Sequence, residues 1–183
     1  MADKMEKLLT PAEVIRKRRM NYLIGRSYVS LLLRCIVLAL ILYVMLNHVF
    51  LLTQVSGNDM FPALKDGDLV FAYRLQETYR KEDVVIYRQN GHTRIGRIVG
   101  RETDVIMMDD VGKLQVNGTI QGGEIMYPTY AKEGTEYPYV VPDDYVFILG
   151  DYRTQSEDSR DFGPIPMDAL QGKVITILRR RGI

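Results

Sequence analysis

Two hydrophobic regimes divide the chain. From Tyr28 to Leu52 nearly every position is apolar, with Leu31-Leu32-Leu33 followed by an uncharged run from Cys35 to Leu46. At 1.5 Å per residue about 20 such residues cross the hydrocarbon core of a bilayer, so the run predicts a transmembrane helix over residues 28–52. Arg34, near its start, can reach the headgroups along its aliphatic stem. Asn47 and His48 come late, where a polar side chain is costly away from the interface, and His48 reads as an interfacial residue. A cleaved secretory signal is the alternative. The length of the run, and the lack of a small-x-small site after it, argue against that.

After residue 53 the pattern shortens. Runs rich in Val, Ile, Tyr and Phe alternate with turn residues: Leu69–Tyr73, Asp83–Tyr87, Ile95–Val99, Asp104–Met107, Leu114–Val116, Tyr145–Leu149 and Val174–Leu178. Lys65-Asp66-Gly67-Asp68, Gln89-Asn90-Gly91, Val111-Gly112 and Asn117-Gly118 punctuate them. Asn-Gly between β runs is a strong hairpin signal. Residues 53–183 are therefore expected to form a mainly antiparallel β domain, with at most a turn of helix at 167–170. The stretch 121–142 holds three prolines with Tyr127, Tyr130, Tyr137 and Tyr139. It reads as an irregular surface loop with a few packed tyrosines. A sharper reading makes Tyr127–Tyr139 a contact surface.

Charge adds an orientation. Residues 1–34 carry 8 Lys/Arg and 3 acids, against 16 and 20 in the remainder. A net charge of +1 overall argues against a general nucleic-acid binder. Residues 1–27 read as a basic helix, started by the capping-box pattern Thr10-Pro11-Ala12-Glu13. Its Arg16–Arg19 cluster suits an anionic inner leaflet, and the positive flank puts the N-terminus in the cytoplasm and the β domain outside. The single cysteine, Cys35, lies in the membrane run, so the outer domain has no disulfide and relies on its own core.

Several ordered blocks carry a family resemblance, over roughly Thr53 to Leu178: Gly57-Asn58-Asp59-Met60-Phe61-Pro62-Ala63-Leu64, Gly67-Asp68-Leu69-Val70, Gly96-Arg97-Ile98-Val99-Gly100, Val116-Asn117-Gly118, and Gly150 to Gly163. They resemble type I signal peptidases, membrane-anchored Ser/Lys proteases that cut signal peptides at the outer face of the bacterial membrane. Gly57, Met60, Pro62, Leu64 and Arg97 match that pattern, and Tyr152 is the main departure in the last block. The resemblance implies that Ser156 corresponds to a serine that positions the catalytic lysine, and that Asp158 and Arg160 form a supporting ion pair.

The two reactive positions differ. Asp59 stands where the family pattern has its serine nucleophile, and Gly96 where it has its lysine base. A dyad needs both groups, and Arg94 and Arg97 cannot replace the base because guanidinium stays protonated. The expectation is a protein that is not an enzyme and has no catalytic residue, with Asp59 in a salt bridge or hydrogen bond, for example to Arg97. Signal-peptidase-like proteins with a lost dyad occur in Gram-positive pilus loci beside pilin subunits and sortases. Resemblance to that group implies a chaperone-like role in pilus assembly, binding a pilin subunit or a sortase by strand addition. The alternative is an active peptidase, serine-type or carboxylate-dependent, with an altered site. A paired-carboxylate site at Asp59 is disfavoured because Asp59-Met60-Phe61 lacks an Asp-Thr/Ser-Gly pattern. No cofactor or metal is implied.

Overall fold

A computed structural model describes residues 11–122, 125–133 and 135–179. The chain forms two units, divided between Met45 and Leu46. Helix α1 spans Pro11–Val44 in the first, and a π-helical turn, Met45–Val49, follows it across the division. Ile24–Val49 has a mean hydropathy of 2.7 and none of it is buried, so it is long and apolar enough to cross a membrane. The free thiol of Cys35 is exposed on this helix. The proposed cap at Thr10 and the basic residues Lys4 and Lys7 lie outside the described residues. The apolar run does not remain helical to Leu52. Phe50, Leu51 and Leu52 instead open a strand, paired with Tyr73, Ala72 and Phe71.

The second unit is antiparallel β. Its strands are β1 (Phe50–Gln54), β2 (Leu69–Tyr73), β3 (Val84–Gln89), β4 (His92–Arg101), β5 (Val105–Met108), β6 (Leu114–Val116), β7 (Thr119–Ile120), β8 (Tyr139–Val140), β9 (Tyr145–Leu149), β10 (Ile165–Pro166) and β11 (Leu170–Leu178). Seven form one sheet in the order β1-β2-β11-β3-β4-β9-β10, and four form a second in the order β7-β6-β5-β8. Both Asn-Gly signals are hairpin turns. Asn90 and Gly91 between β3 and β4 have φ of 51° and 80°, and Asn117 and Gly118 between β6 and β7 have 53° and 76°. Two successive positive φ values match the right-handed twist of the flanking strands, and Asn and Gly tolerate them best.

Alternation along the strands builds the core. On β2, Val70 and Ala72 point inward, joining Val55, Met60, Leu64 and Ile86 in one cluster. Tyr87, Ile98, Val146 and Ile148 belong to a second, and Val99, Ile106, Phe147 and Leu149 to a third under the small sheet. Tyr137 and Tyr139 of the irregular stretch pack against that third cluster. The predicted turn of helix at 167–170 is a 3-10 turn, Met167–Ala169.

The strand lengths leave an opening. β4 pairs with β3 along 92–97, but β9 joins it only from Arg97 onward. Among the described residues, one edge of 92–96 therefore has no strand partner, and β1, the last strand of its sheet, is free on the side away from β2.

Candidate active site

A cleft of about 390 Å³ lies between those two edges, lined by Thr53–Gly57, Asp59, Met60 and His92–Ile95. The chain reaches Asp59 through a tight turn. Gly57 has φ +87°, a conformation that favours glycine, and its N–H donates to Asp66 Oδ1 at 2.8 Å. Met60 and Leu64 are 1% and 2% exposed, anchoring the turn in the core while Asp59 projects into the cleft. Pro62 follows directly and lines a neighbouring cleft of about 460 Å³ with Ala63, Arg97 and Asp151.

The Asp59 carboxyl is held above the usual carboxylate range chiefly by burial, with the nearby Glu157 and Asp158 charges adding to the rise. Arg94 and Lys132 oppose it. Arg94 is the cation in contact with it, with Nη1 3.9 Å from Asp59 Oδ2. Its Nη2 donates to Glu157 Oε2 at 2.7 Å, and the guanidinium lies 5.6 Å from the centroid of the Phe162 ring. The expected partner, Arg97, is engaged elsewhere. Its Nε and Nη2 donate to Asp151 at 2.8 and 2.6 Å, and Nη1 to the Glu82 carbonyl. The reason is strand alternation: neighbours on β4 point to opposite faces, so Arg94 and Arg97, three apart, diverge.

Gly96 is crowded. A Cβ there would lie 2.4 Å from Ile148 Cγ2, 3.3 Å from Tyr87 Cε1 and 3.4 Å from the Leu149 carbonyl oxygen. Ile148 and Tyr87 are buried core residues, so the space that a side chain from position 96 would need is already filled.

Ser156, Asp158 and Arg160 converge behind Asp59. Ser156 Oγ donates to Asp158 Oδ2 at 2.8 Å, and Arg160 forks onto Asp158 through Nε at 2.9 Å and Nη2 at 2.8 Å. Asp158 and Arg160 are each 1% exposed. The ion pair is complemented by hydrogen bonds from Gly150 N to Asp158 and from Arg160 to the Arg153 and Tyr130 carbonyls, as a buried pair requires. Asp158 also caps the short helix α2 (Ser159–Phe162), its carboxylate accepting from Arg160 N while Asp161 accepts from Asp158 N. Gly150 is the contact between this network and the turn. A Cβ there would meet Ser156 Cβ at 2.4 Å and the Asp59 carbonyl at 2.5 Å.

Three further residues near the site were not assigned these contacts from the sequence, where Arg94 was weighed only as a replacement base. Arg94 lies beside a motif without matching it. Lys132, in the irregular stretch, donates to the Ser156 carbonyl at 2.7 Å and to Asp161 Oδ2 at 2.6 Å. Arg153 is 1% exposed and donates to the Gly150 carbonyl, Thr129 Oγ1 and Gln121 Oε1; burial pushes its guanidinium down to about 10. The only forward signal for Arg153 was its place in the last block.

Comparison with known proteins places this geometry. Residues 28–178 match the model of the family described as signal peptidase, peptidase S26. A probable thylakoidal processing peptidase 2, chloroplastic, of Arabidopsis thaliana is 34% identical over 138 residues, covering 67% of this chain. The chain spans only 36% of that relative's length. A mitochondrial ATP-independent inner membrane protease subunit 1b, also of Arabidopsis thaliana, is 31% identical over 141 residues, 73% of each chain. A signal peptidase I of Bacillus caldolyticus is 28% identical over 167 residues, covering 82% of this chain and 88% of that one. These names correct the expectation that the chain is not an enzyme. The relatives are peptidases, and the matched region includes positions 59 and 96. Asp59 supplies a half-buried carboxylate in the cleft, with the Arg94 guanidinium 3.9 Å away. With residues 28–178 matching its model, the chain belongs to the signal peptidase, peptidase S26, family.

Proposed function

We propose that the chain is a membrane-anchored peptidase of this family that holds an extended polypeptide in the cleft and cuts it with carboxylate chemistry. The observation that carries the reading is the pair of free strand edges, β1 with its continuation to Gly57 and β4 at 92–95, facing one cleft that contains Asp59. An extended segment satisfies such edges by strand addition. Asp59 then takes a proton from a water whose oxygen attacks the scissile carbonyl, and returns it to the leaving nitrogen, regenerating the carboxylate. The upward shift of its carboxyl makes it a stronger base than an ordinary aspartate.

The polypeptide is a secreted or membrane-anchored protein, with a pilin subunit or a sortase as the partner during pilus assembly; the resemblance to proteins of pilus loci supports this choice. The basic flank supports a cytoplasmic N-terminus, a single crossing at 24–49, and an extracellular β unit. Site-directed photocrosslinking in cells tests the binding claim. Probes at Thr53 and Thr93 are expected to capture the same secreted polypeptide, whereas a probe on the far face of the small sheet, at Val105, captures none. Failure of both cleft probes to capture a secreted chain would contradict strand addition.

A further inference from the structure

Beyond Asp59 lies an aromatic cluster that neither the core nor the chemistry uses. Tyr152 has its ring centroid 4.6 Å from that of Tyr127 and 5.9 Å from that of Phe61. All three are half-buried, and among the described residues none of the three belongs to a hydrophobic core cluster. The cluster is tied to the site by the Tyr152 N–H, which donates to the Asp59 carbonyl at 2.9 Å. Each ring is carried by the neighbour of a residue lining the second cleft: Phe61 by Pro62, Tyr152 by Asp151, Tyr127 by Met126.

The second cleft shares no lining residue with the first but follows it along the chain: its Pro62 and Ala63 come just after Asp59 and Met60, and its Arg97 just after His92–Ile95. A strand lying on the free edge of β4 cannot continue straight past Gly96, because β9 already pairs with β4 from Arg97. It must leave that edge beside Leu149, three residues before Tyr152, whose N–H is bonded to the Asp59 carbonyl. Tyrosine presents an apolar ring and a polar tip with few rotatable bonds, which suits a binding wall.

We propose that Tyr152, flanked by Phe61 and Tyr127, is a specificity-determining residue that receives an aromatic side chain of the bound polypeptide just past the position held at Asp59. The inference rests on the strand-addition reading of the cleft and adds a sequence preference to it.

The test uses the full chain in lipid nanodiscs and a positional series of extended Ser/Thr/Val peptides in which one phenylalanine is moved along, followed by fluorescence anisotropy. Affinity is expected to peak at one phenylalanine position, by about tenfold over its neighbours, and the peak disappears in Tyr152→Asn. Replacing that phenylalanine by a photoreactive benzoyl analogue crosslinks to Phe61 or Tyr127. Thermal unfolding checks that Tyr152→Asn is folded. If it is not, Tyr127→Ser, in the irregular stretch, is used and flattens the peak. Binding with no positional preference, a peak unchanged in the folded variants, or crosslinks confined to 92–95 would overturn this subsite and leave strand addition standing. No binding of any peptide to the unmodified chain would overturn both.

Discussion

At position 96, space decides what the chain tolerates. A Cβ there would come within 2.4 Å of Ile148 Cγ2, a β-branched methyl inside the core that has no free rotation to escape. Gly96→Ala is expected to destabilise the fold by about 1–3 kcal/mol, the usual cost of overpacking. Combined with Ile148→Ala, which removes the obstructing methyl, the two changes should cost less than their sum in denaturant unfolding. At Asp59 the constraint is electrostatic. Its folded-state carboxyl titrates above its ordinary value, so the folded state disfavours the charge. The corresponding stability is fully present below the ordinary value and is lost as pH rises through the shifted one. Asp59→Asn should therefore raise the melting temperature at neutral pH, with the advantage shrinking in acid; an advantage that grows in acid would contradict the burial argument. Both positions stood out in the sequence because motifs surround them. Arg94 did not, because its contact with Asp59 depends on the strand face it shares with Gly96 and on a turn 35 residues earlier in the chain.

Among the elements, the irregular stretch 121–135 is fastened to the site by buried or half-buried cations. Arg153 holds Gln121 and Thr129, Arg160 holds the Tyr130 carbonyl, and Lys132 holds the Ser156 carbonyl and Asp161. Arg153→Leu should release the Thr129 end and raise hydrogen exchange across 125–133 while the exchange of β3 and β9 stays slow. Asp158→Ala should be far more damaging, about 3–5 kcal/mol, since it leaves the Arg160 guanidinium buried without its counter-ion. The strands with β-branched runs and Asn-Gly turns were legible in advance, because local pattern and turn chemistry agree there. β1 was hidden inside the long apolar run, since residues 50–52 are as hydrophobic as the helix before them. β8 and β10 are two residues long and carry prolines in or near them, too little pattern to register. The fastening of 121–135 was likewise unreadable, as it depends on long-range partners for side chains that look like ordinary surface charges.

For the whole molecule, the sequence carried an apolar segment long enough to cross a membrane, a β unit and a family, while the place of Asp59 in a cleft needed the structure to be seen. The charge asymmetry and the apolar helix make a topological prediction. Intact cells treated with protease should lose the β strands from Phe50 onward and retain a protected N-terminal fragment containing α1; full protection, or loss of the N-terminus instead, would contradict this orientation. The central claim is that this family member cuts polypeptide through Asp59. Its most direct test is incubation of the full chain in nanodiscs with secreted precursors, followed by mass spectrometry of the products over a range of pH. A single defined cleavage is expected, rising with pH through the elevated titration of Asp59 and absent in Asp59→Asn. Intact precursors at every pH, or cleavage that persists unchanged in Asp59→Asn, would contradict it.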